Sequence, residues 1–166
     1  IKTIQLNRKA IEDASGPVFA SLNPSGKRVK PNPNALALII GVADYEKTPA
    51  KAIYADSDAQ IFYDYATLKL GVPTSNITEL VNEGAEITDI LLSVKKNISR
   101  SVKQDETDIY IFFAGHGLAS SDGEDMYLLP YDGSPRLLEK TAILREELFK
   151  DIASTNPRSV TVFLDT

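Results

Sequence analysis

The chain has a single histidine, His116, set between Gly115 and Gly117. It follows Asp108-Ile109-Tyr110-Ile111-Phe112-Phe113, a run apolar enough to read as a strand buried on both faces. Flanking glycines let the backbone turn sharply and leave the imidazole and the Gly117 amide accessible. An accessible imidazole is a natural general base, and a nearby free N–H is a natural donor to an oxyanion. The plainer alternative is a surface histidine in a tight turn. Two carboxylates join it. Asp165 follows a second predicted strand, Ser159-Val160-Thr161-Val162-Phe163-Leu164, and Asp58 sits at the start of the first helix. Alone, Asp165 reads as a helix cap, and Asp58 as a helix-start charge favoured by the dipole beside Asp56. Together they gain meaning, because strand ends along one sheet edge converge in space.

The elements that must position these groups alternate along the chain. Ala35-Leu36-Ala37-Leu38-Ile39-Ile40-Gly41-Val42 is apolar on both faces, as an inner strand of a parallel sheet must be. A helix is expected over 56–70, with Ile61, Tyr65 and Leu68 at helical spacing and Gly71-Val72-Pro73 ending it. Residues 76–81 form a shorter strand, and Thr88 opens a helix with the apolar stripe Ile90, Leu91, Val94 and Ile98. After His116 come a turn-rich segment, a small hairpin strand at 126–129, a helix over 144–154 and a fourth buried strand at 159–164. Repeated strand–helix–strand units imply an α/β fold with a mostly parallel sheet.

Residues 1–34 read differently. Ser15-Gly16-Pro17, Asn23-Pro24-Ser25-Gly26 and Pro31-Asn32-Pro33-Asn34 interrupt any regular element, leaving a short hairpin around Gly16 to Val29 at most. This stretch is expected to be an extension or linker, with 35–166 as the folded domain. Its basic residues Lys27, Arg28 and Lys30, with Arg136 further on, are candidate processing sites.

Composition narrows the function classes. A net charge of −5 argues against a general nucleic-acid binder and leaves room for cationic substrates. With no cysteine there is no disulfide framework, no thiolate zinc site and no thiol nucleophile within these residues. Asp122-Gly123-Glu124-Asp125 lacks EF-hand spacing and reads as a solvated turn. Gly41-Val42-Ala43-Asp44 lacks the glycine pattern of a nucleotide site. No cofactor or metal is expected. The longest strongly apolar run, 35–43, is about half a transmembrane helix, and 1–13 shows no signal peptide. The expectation is a cytoplasmic protein without membrane attachment.

Five segments in order carry a resemblance: Ala37-Leu38-Ile39-Ile40-Gly41-Val42-Ala43-Asp44-Tyr45; Ala55-Asp56-Ser57-Asp58-Ala59; Ile111-Phe112-Phe113-Ala114-Gly115-His116-Gly117; Tyr127-Leu128-Leu129-Pro130-Tyr131-Asp132; and Val160-Thr161-Val162-Phe163-Leu164-Asp165-Thr166. They resemble the caspase and metacaspase family of cysteine peptidases, especially its bacterial and metacaspase-like members, over residues 35–166. The resemblance implies a three-layer sandwich with helices on both faces of the sheet and the fold's final strands outside this chain. In the family the fourth strand ends in Asp, a small residue and then the catalytic Cys. Asp165 and Thr166 would fill the first two places, and the Cys would come next, about 50 residues after the histidine, the spacing the caspase signature itself describes. His116 would be the base of a Cys–His dyad and Gly117 an oxyanion donor. Asp58 and Asp165 would line a pocket for a basic residue, with Ala114 on its wall. Caspases proper hold an Arg there to bind Asp, and no Arg stands at the comparable place.

The implied activity is endoproteolysis after Arg or Lys, on a protein or peptide substrate and together with the small-subunit part of the same protein. The acidic cluster that many metacaspases use for calcium is missing. Two alternatives stand beside this reading. One is a catalytically inactive caspase-like interaction module. The other is an unrelated α/β signalling module, which would leave Gly115-His116-Gly117 unexplained.

Overall fold

The computed structural model describes residues 28–166. Most of the expected 16–29 hairpin, and Lys27, lie outside them; Arg28 and Val29 belong to no strand. Arg28 and Lys30 are exposed, but the segment is tied down where it passes the end of the first helix. Val29 donates its N–H to Leu68 O at 3.0 Å and Asn32 donates to Gly71 O at 2.8 Å.

Four parallel strands form the central sheet: β1 (Ala35–Gly41), β2 (Ile77–Val81), β3 (Asp108–Ala114) and β7 (Ser159–Asp165), in the spatial order β2-β1-β3-β7. All seven β1 residues are buried, as an inner strand covered on both faces requires. Alternate side chains leave β1 in opposite directions and enter two separate apolar layers. Leu38, Ile40 and Val42 meet Ile90, Val94, Ile98, Leu148 and Ile152 on one face. Ala35, Ala37 and Ile39 meet Ala55, Ala59, Phe62 and Ala66 on the other. The result is a three-layer sandwich.

Helix α1 (Ala55–Leu68) buries Ala55, Ala59, Phe62 and Ala66. This differs from the expected stripe of Ile61, Tyr65 and Leu68, which are only partly buried. The reason is close approach. A Cβ on Gly41 would lie 2.5 Å from Ala55 O and 2.6 Å from Ala59 Cβ, so the helix meets the sheet through its smallest residues. Of its larger groups Phe62 packs into this layer against Phe112 and Phe163, while Ile61, Tyr65 and Leu68 are displaced to the flanks.

On the opposite face α2 (Ile87–Leu92) runs into a π-helical stretch, Ser93–Ile98, and then α3 (Ser99–Ser101). Thr88 does not open α2. The helix starts one residue earlier, and the Ile87 N–H is accepted by Asp132 Oδ1 at 2.9 Å, a cap supplied from a distant loop. A short α4 (Leu138–Thr141) precedes α5 (Arg145–Ala153), which buries Leu148 and Ile152. A second, antiparallel sheet of order β4-β5-β6 comprises β4 (Gly117–Ala119), β5 (Met126–Leu128) and β6 (Ile143–Leu144). Only β5 was legible as a strand, since segments of two and three residues carry no usable periodicity.

β7 takes its expected place beside β3 but is not buried. Val160 is 37% exposed and Leu164 42%, because among the described residues β7 is the outermost strand, paired only with β3.

Candidate active site

In-register pairing sets the ends of the strands level. Gly41 of β1 lies opposite Ala114 of β3, and Ala114 lies opposite Asp165 of β7. The ladder continues past the strands, with Val42 N–H donating to Ala114 O at 2.9 Å and Gly115 N–H to Asp165 O at 3.0 Å. A cavity of about 220 Å³ opens at this carboxyl edge, lined by Ala52, Ile53, Ala55, Asp58, Ala114, Gly115, His116, Asp165 and Thr166. Four of the five residues singled out in the sequence therefore share one pocket. The fifth, Gly117, lies against the pocket residue Thr166, so closely that a Cβ on it would come within 2.9 Å of Thr166 Cβ.

The orientation of Gly117 follows from ladder geometry. Leu129 donates its N–H to His116 O at 3.0 Å, and Gly117 pairs with Leu128 in the antiparallel β4–β5 ladder. Bonded and non-bonded pairs alternate in such a ladder, so Gly117–Leu128 is a non-hydrogen-bonded pair. The Gly117 N–H consequently points away from β5 and is not spent on it, as an oxyanion donor must be.

His116 is half-buried, and its imidazole stacks on Tyr45, with ring centroids 4.9 Å apart and planes 15° from parallel. Its Nε2 is buried and has no hydrogen-bond partner among the described residues. A buried imidazole nitrogen left unpaired is costly, and groups of that kind gather where chemistry supplies the partner.

Asp58 reaches the cavity from the first turn of α1, and Asp165 from the end of β7. The Asp58 carboxyl is pushed above its ordinary value, first by burial, then by the charge of Asp165, then by that of Asp56. A second carboxylate that raises the cost of ionising Asp58 makes a site that a cation relieves.

The loop joining β1 to α1 forms the wall and is held from outside. Asn82 Oδ1 accepts the N–H groups of Ala43 at 2.9 Å and Asp44 at 3.2 Å, while Tyr131 O accepts the N–H of Glu46 at 2.9 Å. Tyr131 and Asp132 thus brace both this loop and the start of α2. Tyr54, just before α1, has φ of 77°, a strained value for an aromatic residue, and with Ile53 it is about 70% exposed beside the pocket. Tyr45, Asn82, Ile53 and Thr166 were not singled out by type. Only Tyr45 and Thr166 carried a signal, as members of the matching segments.

The Asp122 turn satisfies itself. Asp122 accepts the Ser120 hydroxyl and the Glu124 N–H. Among the described residues no three His, Cys, Asp or Glu side chains gather as a metal site, and no helix is long and apolar enough to cross a membrane.

Comparison with known proteins agrees with the fold. The caspase-domain family model matches residues 34–166, most of the chain. The chain belongs to the caspase-domain family. That family consists in general of cysteine peptidases, hydrolases that act on proteins. No curated protein matches the chain. Among solved structures, a crystallised Geobacter sulfurreducens protein matches with a TM-score of 0.58 at 17% identity, over 80% of this chain and 50% of the other. At that identity the likeness speaks for the caspase-like fold alone, and the chain spans about half of that protein's length.

Proposed function

We propose that this caspase-domain chain is the histidine-bearing part of a cysteine endopeptidase that cleaves after Arg or Lys. The observation that carries the proposal is the single cavity in which Asp58 and Asp165 face the same space as His116. A guanidinium or ammonium entering it meets two carboxylates, and that of Asp58 is raised in pKa first by burial and then by the charge of Asp165. Charge-assisted hydrogen bonds to such a pair are strong, and bidentate for Arg.

The nucleophile in this reading is the thiol of a cysteine following Thr166. His116 Nε2, buried and unpaired, takes the thiol proton, and the thiolate sulfur adds to the scissile carbonyl carbon. The carbonyl oxygen, now an oxyanion, is met by the outward-pointing Gly117 N–H. As the tetrahedral adduct collapses, His116 gives its proton to the departing amine and the C–N bond breaks, leaving a thioester. Water deprotonated by His116 then releases the carboxylic acid and restores the thiol. The partner needed for turnover is the small-subunit part of the same protein.

Fluorogenic peptides identical except at the cleaved residue, offered to the full-length protein, test the proposal. Hydrolysis after Arg and Lys but not Asp is the expected outcome. A preference for Asp would overturn the pocket assignment, and no hydrolysis of any peptide would favour an interaction module.

A further inference from the structure

We infer that Tyr45 is the positioning residue for His116, holding both its ring plane and its backbone; this rests on the peptidase reading above. The antiparallel pair formed by His116 and Leu129 is half made. Leu129 donates its N–H to His116 O at 3.0 Å, but His116 does not return its own N–H to the Leu129 carbonyl. It donates instead to the Tyr45 hydroxyl at 2.7 Å, across 71 residues of sequence. A side chain has replaced one bond of the ladder, at the residue that carries the base.

Three further observations converge on the same contact. The Tyr45 ring lies against the imidazole, 4.9 Å between centroids and 15° from parallel, so a single side chain fixes the plane of the base and its main chain. Tyr45 is itself 9% exposed and belongs to the apolar layer with Val42, Ile111 and Phe113, so the ring has little room to move. The residue between strand and histidine must be glycine for this contact to exist. Gly115 has φ of 153°, and a Cβ there would lie 2.9 Å from the Tyr45 hydroxyl and 3.2 Å from the Phe113 ring. Burial pushes the Tyr45 phenol above its ordinary value, against a smaller opposite pull from the His116 N–H, so the hydroxyl stays protonated near neutral pH.

The arrangement divides the labour. The ring limits rotation of the imidazole that carries the unpaired Nε2, while the hydroxyl takes the His116 N–H that the ladder leaves unused. A base held within a narrow range of orientations contributes to the chemical step, whereas Tyr45 lines no part of the substrate cavity.

Two variants of the full-length protein separate these parts. Tyr45→Phe keeps the stacked ring and removes the hydroxyl; Tyr45→Leu removes both. We expect kcat to fall about tenfold for Phe and about 100-fold for Leu, with KM within about twofold of the parent. The His116 ring-proton resonances, identified by difference against His116→Gln, should keep their ring-current shift in Tyr45→Phe. The His116 amide resonance should move in that variant. If Tyr45→Leu does not fold, the Phe variant alone decides. An unchanged His116 amide and unchanged kcat in Tyr45→Phe would overturn the inference, as would a loss confined to KM. If the parent protein itself hydrolyses nothing, the peptidase reading fails, and the resonances still decide whether Tyr45 positions the histidine.

Discussion

Each end of the β3–β7 pair carries an aspartate, Asp108 at one and Asp165 at the other, and the two are put to opposite use. At the amino end Asp108 lies opposite Ser159, and three residues answer its carboxylate. Arg158 makes a two-pronged ion pair with it, Ser159 donates its hydroxyl at 2.7 Å and Asn32 donates its amide at 3.1 Å. Its pKa is lowered, chiefly by the Arg158 hydrogen bond and also by those from Ser159 and Asn32, against some burial. At the carboxyl end Asp165 shares a cavity with Asp58, neither is ion-paired among the described residues, and His116 Nε2 is buried with no partner among them. One end is saturated and the other is left wanting a ligand. Saturation stabilises the fold, while unmet polar groups at the far end are available to substrate and to chemistry.

Removing the base should break the comparison most sharply. His116→Ala in the full-length protein is expected to lower kcat by about 10³-fold. Thermal melting should change far less, because the lost nitrogen had no partner to forfeit and only the stacking contact with Tyr45 is given up. A melting temperature that falls as steeply as activity would make His116 a structural residue.

The pocket carboxylate comes next. Asp58→Asn should weaken cleavage after Arg by about 100-fold, through loss of a partner for a partly desolvated cation. Stability should move the other way. A carboxyl whose pKa is raised by folding contributes most stability below its unfolded pKa and loses it as pH rises through the folded value. The variant should therefore melt higher than the parent near neutral pH, with the advantage vanishing on acidification. Melting curves across pH read this directly.

At the saturated end the signs reverse and activity should stay out of it. Asp108→Asn is expected to cost about 2 kcal/mol of stability at neutral pH, since it breaks a charge-assisted pair and leaves Arg158 unanswered. Because folding lowers the Asp108 pKa, its contribution is present above the unfolded pKa and disappears as pH falls through the folded value. Denaturant midpoints should accordingly differ at neutral pH and converge in acid, with kcat per folded molecule unchanged.

The sequence by itself determined which segments become the strands of the central sheet, which strand ends lead to His116 and Asp165, and that Asp58 stands at the start of the first helix. Those are local properties: runs apolar on both faces, breaks at Gly and Pro, and polar residues where a run stops. Once the sheet is parallel, its carboxyl edge is a necessary meeting place. Tertiary structure decided what local pattern cannot express. Which face of α1 is buried depended on how closely Gly41 lets the helix approach, not on which of its residues are largest. The exposure of β7 depended on its place in the strand order. The supports of the site all span long stretches of chain: Tyr45 to His116, Asn82 to Ala43, Asp132 to Ile87. A hydroxyl, an amide or a carboxylate of that kind has no periodicity. It becomes a support only when the fold brings an unanswered N–H within about 3 Å of it.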